Sequence, residues 1–171
     1  IQLLRKFLML REEIVSKYNA DFVIIDTSPG IRYWSINSLA IADTILLSLK
    51  LDGIDLKGTR LLAKEIYESL TKLGTKSYLL LNRAAGYCLP PGKAGEKTSE
   101  AQEIYTNTVG DQKTVISKLN ADVGMDTILS IPCYCDIQFD SNEFLTALRY
   151  PNHPFAGNID TLIEKLQEMK S

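Results

Sequence analysis

A carboxylate at the end of an apolar run is the feature of this chain best suited to chemistry. Asp26 closes the run 22–26, and the turn from Thr27 to Gly30 follows it. At the carboxyl end of a buried parallel strand, an aspartate faces the crevice in which open α/β sheets bind ligands. There it can hold a magnesium-bound water beside a phosphate, and a glycine such as Gly30 lets the backbone approach closely. Asp26 could instead cap its own turn, and the residues alone leave the two interpretations evenly balanced.

The phosphate-binding loop that would complete such a site is missing from the sequence. No segment has the pattern G-x-x-x-x-G-K-[ST]. The segment 86–94 has alanine where serine or threonine must meet magnesium, and it carries two prolines that lack N–H donors. The segment 95–98 lacks the Gly-Lys pair. The sequence therefore indicates a nucleotide-binding domain without its phosphate cradle, and we expect the chain, which begins at Ile1, to be part of a longer protein.

The elements that must position Asp26 alternate between helices and strands. Apolar spacing predicts helices at 2–18, 31–42, 56–73, within 99–119, at 144–148 and at 159–169, and strands at 22–26, 44–49, 76–82 and 127–131. Ile36, Leu39 and Ala40 form the predicted inner face of the second helix. Because the strands are continuously apolar, they predict an α/β fold with a parallel sheet covered on both faces. We expect residues 1–171 to form a single domain, with 84–122 as an insertion or a loop followed by helices.

Several segments resemble, in the right order, the motifs of the ParA/MinD family of deviant-Walker P-loop ATPases. They are Asp21–Gly30 (Walker B and switch II), Asn37–Asp43 (N-x-L-x-x-A-D), Leu56–Gly58 (a helix start), Leu79–Arg83 (a strand ending in L-N-R) and Ile131–Pro132 (a late I-P turn). The resemblance covers about residues 1–83 and 127–170. It implies a three-layer parallel sheet of P-loop NTPase type that is N-terminally incomplete. The Walker A loop with its signature lysine, and the switch I aspartate, would precede Ile1.

The resemblance also implies which residues would bind nucleotide. Asp26 would hold magnesium through water, and Pro29 and Gly30 would lie in the loop that senses the γ-phosphate. Those residues form the phosphate side of the site.

The base side would be formed by Asn82, Arg83 and Pro132, all near the adenine. The amide of Asn82 offers a donor and an acceptor to a base edge. Its alternative role is that of a turn-forming asparagine after a strand.

The resemblance implies a protein that binds ATP and magnesium, forms a homodimer around the nucleotide and hydrolyses ATP slowly. Such a cycle serves chromosome or plasmid partitioning, or the positioning of another cargo, with a ParB-like partner and nonspecific DNA. A net charge of −2 gives no whole-chain electrostatic argument for DNA binding. Since positioning and charge stabilisation supply catalysis here, a chain without the phosphate loop and lysine is not expected to hydrolyse ATP.

The cysteines allow two further hypotheses. Cys133 and Cys135 form a C-x-C pair after the I-P turn, and the related Mrp-type ATPases carry iron–sulfur clusters on a C-x-x-C pair. An Mrp-like iron–sulfur carrier is thus one alternative, and a non-catalytic interaction module of the same fold is another. The simpler interpretation of these cysteines is that they are small buried apolar side chains. The odd number of cysteines, with no signal peptide visible, predicts a cytoplasmic location.

Two other features receive simple interpretations. His153 lies between Asn152 and Pro154, and we interpret it as a surface-turn histidine in preference to a catalytic base. The closing helix carries mixed charges on its polar face, which argues against a membrane anchor. No apolar run in the sequence is long enough to span a membrane.

Overall fold

A computed structural model gives the structure of the chain, in which the described residues are 2–27, 33–50, 58, 74–87, 113–134, 137 and 145–169. Along the chain the elements are α1 (Gln2–Tyr18), α2 (Tyr33–Ala40), β1 (Thr44–Leu49), β2 (Lys76–Tyr87), α3 (113–123), β3 (Asp126–Tyr134), α4 (Thr146–Arg149) and α5 (Pro154–Glu168). The chain divides into two compact units. The first unit comprises Ile1–Ile45 and Ile66–Lys76, and the second comprises Leu46–Glu65 and Ser77–Ser171.

A small three-stranded parallel sheet flanked by helices confirms the predicted α/β class. The strand order is β1-β2-β3, and β2 and β3 pair in parallel from Tyr78 opposite Asp126 to Tyr87 opposite Tyr134. Leu79 and Leu81 of β2 are fully buried, as is Leu119 of α3. These leucines lie at the centre of the second unit's core, because a middle strand covered by helices buries its apolar side chains.

Most predicted elements are confirmed, with some differences in length. The helix 2–18 and the strand 44–49 have the predicted bounds. The strand predicted at 76–82 continues to Tyr87, so residues 84–87 belong to the sheet and not to a loop. The closing helix begins at Pro154, five residues before the first apolar position used to predict it. The predicted helix 56–73 lies, apart from Gly58, outside the described residues.

The strand predicted at 22–26 is wrong. Residues 22–27 follow α1 as an irregular segment, and within the described part of the chain no strand pairs with it. Ile24 is 91% exposed, and Phe22 and Ile25 are 44% and 39% exposed. An apolar run becomes a strand only when a neighbouring strand satisfies its backbone, and sequence pattern alone does not supply that neighbour.

In the first unit, α1 and α2 pack together, and a side chain of α1 binds the end of α2. Arg11 donates from Nη1 to the carbonyl of Ile41 at 2.7 Å, which satisfies one of the carbonyls left free where a helix ends. Among residues 35–41, whose burial is described, the buried positions are Ser35, Ser38 and Ile41. The predicted inner face is therefore wrong, since Ile36 is 44% exposed and Ala40 is exposed as well.

In the second unit, α5 packs against β3 and α4. Lys165 Nζ donates to the carbonyl of Ile128 at 2.6 Å, and Asn158 Nδ2 donates to the hydroxyl of Tyr134 at 2.8 Å. Ala156, in the first turn of α5, is buried. These contacts attach the helix to two separate points along β3.

Candidate functional site

The predicted magnesium ligand does not have the setting that its prediction required. Asp26 is exposed and lies in the irregular segment 22–27 of the first unit. The prediction assumed that Asp26 ends a buried parallel strand and so faces the ligand crevice. The structure has no such strand at this position. Pro29 and Gly30 lie outside the described residues, so their predicted role beside the γ-phosphate stays a prediction.

The base-side residues lie on a distorted stretch of β2. Asn82 and Arg83 are both exposed, while Leu81 before them and Ala84 after them are buried. The register with β3 shifts between Leu81 and Ala84, so two residues of β2, Asn82 and Arg83, lie opposite one residue of β3, as in a β-bulge. A β-bulge of this kind changes the direction in which side chains project from a sheet. Two exposed polar side chains thus lie between two buried apolar residues of the strand.

The backbone of Arg83 adopts an unusual conformation. Its φ is +53°, in the left-handed region that non-glycine residues rarely occupy. Such a conformation costs of order 1 kcal/mol or more, and it persists where the surrounding structure requires it. Here the residue lies between two buried residues of the strand, Leu81 and Ala84.

Pro132 lies on the neighbouring strand beside this bulge. It pairs with Ala84, the residue that follows Arg83, and Ser130 pairs with Leu81, the residue that precedes Asn82. The structure thus brings together the three residues predicted to surround the base. They lie in the carboxyl halves of two adjacent parallel strands, the side on which open α/β sheets bind ligands. The sequence analysis predicts Asn82 as the last residue of its strand, and this is wrong, because β2 continues to Tyr87.

A second cluster of polar and aromatic side chains lies where β3 ends and α5 begins. The Tyr134 ring makes edge contacts with His153, at 5.1 Å between ring centroids, and with Phe155, at 6.3 Å. Asn158 donates to the Tyr134 hydroxyl. Sequence reasoning missed this cluster, although proline at the first helical position, as at Pro154, is a usual signal for the start of a helix.

His153 is the residue that caps α5. Its Nδ1 accepts a hydrogen bond from the backbone N–H of Phe155 at 3.0 Å. The histidine lies in the bend before the helix, which is compatible with the predicted turn, but its side chain is half-buried and not fully at the surface.

The cysteines offer little for a metal centre in the described part of the chain. Cys133 is half-buried in β3, and Cys88 and Cys135 lie outside the described residues. Within those residues, no group of three or more His, Cys, Asp or Glu side chains is placed to hold a metal ion.

Comparisons with protein-family models, with characterised proteins and with solved structures give no match to this chain. Among the described helices, none combines the length and the apolar character needed to cross a membrane.

Proposed function

We propose that this chain is part of a ParA/MinD-like ATPase, which binds ATP and magnesium and uses a nucleotide-dependent dimer to position DNA or another cargo. The sequence motifs, in family order, are the origin of this proposal. A ParB-like partner, nonspecific DNA and a cytoplasmic location belong to the same proposal.

The observation that carries the proposal is the bulge at Asn82 and Arg83 beside Pro132. The sequence motifs assign these residues to one place, near the adenine, although about fifty residues separate Asn82 from Pro132 in the chain. The parallel register of β2 and β3 is the arrangement that this assignment requires. A chance resemblance would not require it.

The chemistry of these residues fits a nucleobase. Asn82 is exposed, and its amide can donate to one ring atom and accept from a neighbouring group. The Arg83 guanidinium can stack on an aromatic base or bind a phosphate. Pro132 offers a rigid apolar surface for the flat face of the base. When ATP binds, magnesium would neutralise the charge of its phosphates.

The phosphate side rests on Asp26, whose carboxylate is a suitable oxygen ligand for magnesium. Its exposure in the present structure means that the ligand role needs a neighbouring strand to order the segment 22–27. The proposal therefore predicts a structural difference between this chain and a longer protein that supplies such a strand.

No observation in the described part of the chain favours the iron–sulfur carrier, because only Cys133 of the C-x-C pair is described. The non-catalytic module likewise has no observation of its own.

The base side can be tested by NMR with adenosine, which has no phosphate and so isolates this half of the site. We expect millimolar binding, near −4 kcal/mol, with shifts concentrated at the backbone amides of Asn82, Arg83 and Cys133. Asn82→Ala should abolish those shifts. Asn152→Ala, at an exposed asparagine distant from β2 in sequence, should leave them unchanged and serves as the matched control.

Shifts scattered over other surfaces, or an Asn82→Ala variant that binds adenosine as the unmodified chain does, would contradict the base-side assignment.

The assignment to the ATPase class is tested separately, by the coding sequence. The coding sequence upstream of Ile1 should contain K-G-G-x-G-K-[ST], and an upstream sequence without it would remove the hydrolysis part of the proposal.

A further inference from the structure

The strand β3 has a lysine side chain bound to its backbone. Among the strands that the structure describes, the order is β1-β2-β3, so β3 has a strand neighbour, β2, on one side only. A strand at the edge of a sheet presents N–H and C=O groups with which a strand of another chain can pair. Lys165 Nζ of α5 donates to a carbonyl of this strand, that of Ile128, at 2.6 Å.

Ile128 is the residue at which the pairing of β3 with β2 is interrupted. In the register, Leu79 pairs with Thr127 and Leu80 pairs with Leu129, so Ile128 is passed over. The extra residue of a β-bulge is left out of the ladder, and its backbone groups need partners from elsewhere. The carbonyl of Ile128 has such a partner in Lys165, whose side chain is half-buried.

A strand that added to β3 at this place would displace the ammonium group of Lys165. The displaced group would then lie beneath the new strand without its acceptor, and burying an unpaired charge is costly. Charged side chains at a sheet edge, lysine above all, oppose strand addition in this way.

The same chain carries a segment that is suited to strand addition. Residues 22–25 are Phe-Val-Ile-Ile, which are types that strands favour and which carry no charge. The segment is not part of the described sheet, and the side chain of Ile24 is 91% exposed. A second copy of the chain therefore presents a strand that an unprotected edge could take up.

We propose that Lys165 protects the edge of β3 against the segment 22–25 of a second copy of this chain. The side chain thereby keeps the chain from associating with itself through its sheet. This inference rests on the contact between α5 and β3 and on the exposure of Ile24. It does not depend on the proposed nucleotide site.

Sedimentation velocity of the whole chain over a range of concentrations tests the proposal. Lys165→Met keeps the aliphatic stem and removes the charge, and we expect it to self-associate at least about ten-fold more tightly than the unmodified chain. Lys165→Arg keeps a charged donor and should behave as the unmodified chain does. Adding Ile24→Lys to Lys165→Met should abolish the gain, because the added strand would then carry a charge into the interface.

A destabilised fold can also associate, so the matched control is Asn158→Ala. This variant removes the hydrogen bond from the same helix to Tyr134 and leaves Lys165 in place. It should associate no more tightly than the unmodified chain.

A Lys165→Met variant that associates no more tightly than the unmodified chain would overturn the proposal. So would equally tight association of Asn158→Ala, or of the double variant with Ile24→Lys. If Lys165→Met does not fold, Lys165→Gln decides. Its amide can still donate to Ile128 but carries no charge, so it should also associate more tightly than the unmodified chain, and a failure to do so would overturn the proposal as well.

Discussion

Lys165 of α5 donates a hydrogen bond from Nζ to the backbone carbonyl of Ile128 in β3, at 2.6 Å. The side chain is half-buried, so its aliphatic stem covers apolar surface while its ammonium group reaches the strand. The hydrogen bond between Asn158 and Tyr134 lies near the other end of the same helix. The closing helix is thus held to β3 by a polar contact at each end and by packing between them.

Replacing Lys165 with methionine should destabilise the fold by about 1–2 kcal/mol, because a charge-assisted hydrogen bond is lost while the stem is kept. Lys118→Met, at an exposed position of α3, is the matched control and should change stability by less than about 0.5 kcal/mol. Urea denaturation of both variants measures the difference. Equal midpoints for the two variants would show that the contact to Ile128 contributes nothing.

The contact between Tyr134 and Asn158 should be measurable as a coupling between two mutations. Tyr134→Phe removes the hydroxyl that accepts from Asn158 and keeps the ring contacts with His153 and Phe155. In a double-mutant cycle with Asn158→Ala, we expect a coupling free energy of about 0.5–1.5 kcal/mol. Strictly additive effects would mean that the hydrogen bond does not help to hold α5.

At the end of α2, the hydrogen bond to Ile41 should matter more than the ion pair that accompanies it. Arg11 also lies 3.4 Å from Asp43, whose side chain is 91% exposed, and exposed pairs contribute little. Arg11→Ala should cost about 1 kcal/mol, and Asp43→Asn should stay within about 0.5 kcal/mol. Thermal unfolding of the two variants compares them, and a larger loss from Asp43→Asn would reverse this order of importance.

The effect of a substitution in the exposed segment after α1 should depend on whether a neighbouring strand is present. In this chain, Ile24→Asn should change stability by less than about 0.5 kcal/mol, because the side chain is 91% exposed. In a longer protein that supplies a neighbouring strand, the same substitution should cost about 2–4 kcal/mol, since Ile24 would be buried. Denaturation of both forms tests this. A negligible cost in the longer protein would mean that the segment 22–26 is not a core strand there either.

The sequence predicts helices with a clear apolar period, and it predicts strands that are continuously apolar and have a partner in the sheet. The helix 2–18 and the strand 44–49 follow directly from period and composition. The segment 22–26 has an equally apolar sequence, yet it is not a strand in the structure. A strand depends on a partner that is distant in the chain, and the local sequence does not report that partner. The extension of β2 through Asn82 to Tyr87 was missed for the converse reason, since pairing with β3 overrides the weak strand propensity of these residues.

The proximity of Asn82, Arg83 and Pro132 was expected from the resemblance, and the parallel register of β2 and β3 is compatible with that expectation. Their roles in binding a nucleotide stay predictions. The register shift and the positive φ of Arg83 have no signal in the sequence, because arginine is not a residue that favours the left-handed region. The buried Ser35 and Ser38 of α2 were missed because apolar periodicity favours Ile36 and Leu39.

The central claim, that this chain is part of an ATP-binding protein of the ParA/MinD type, is tested most directly by calorimetric titration with ATP and magnesium. The chain alone should bind no more tightly than about millimolar, near −4 kcal/mol, because backbone N–H groups and a lysine around the phosphates normally supply most of the affinity. The protein extended upstream of Ile1 should bind with micromolar affinity, about −8 kcal/mol, and Asp26→Ala should weaken that binding when magnesium is present. Micromolar binding by the chain alone, or no binding by the extended protein, would contradict the account.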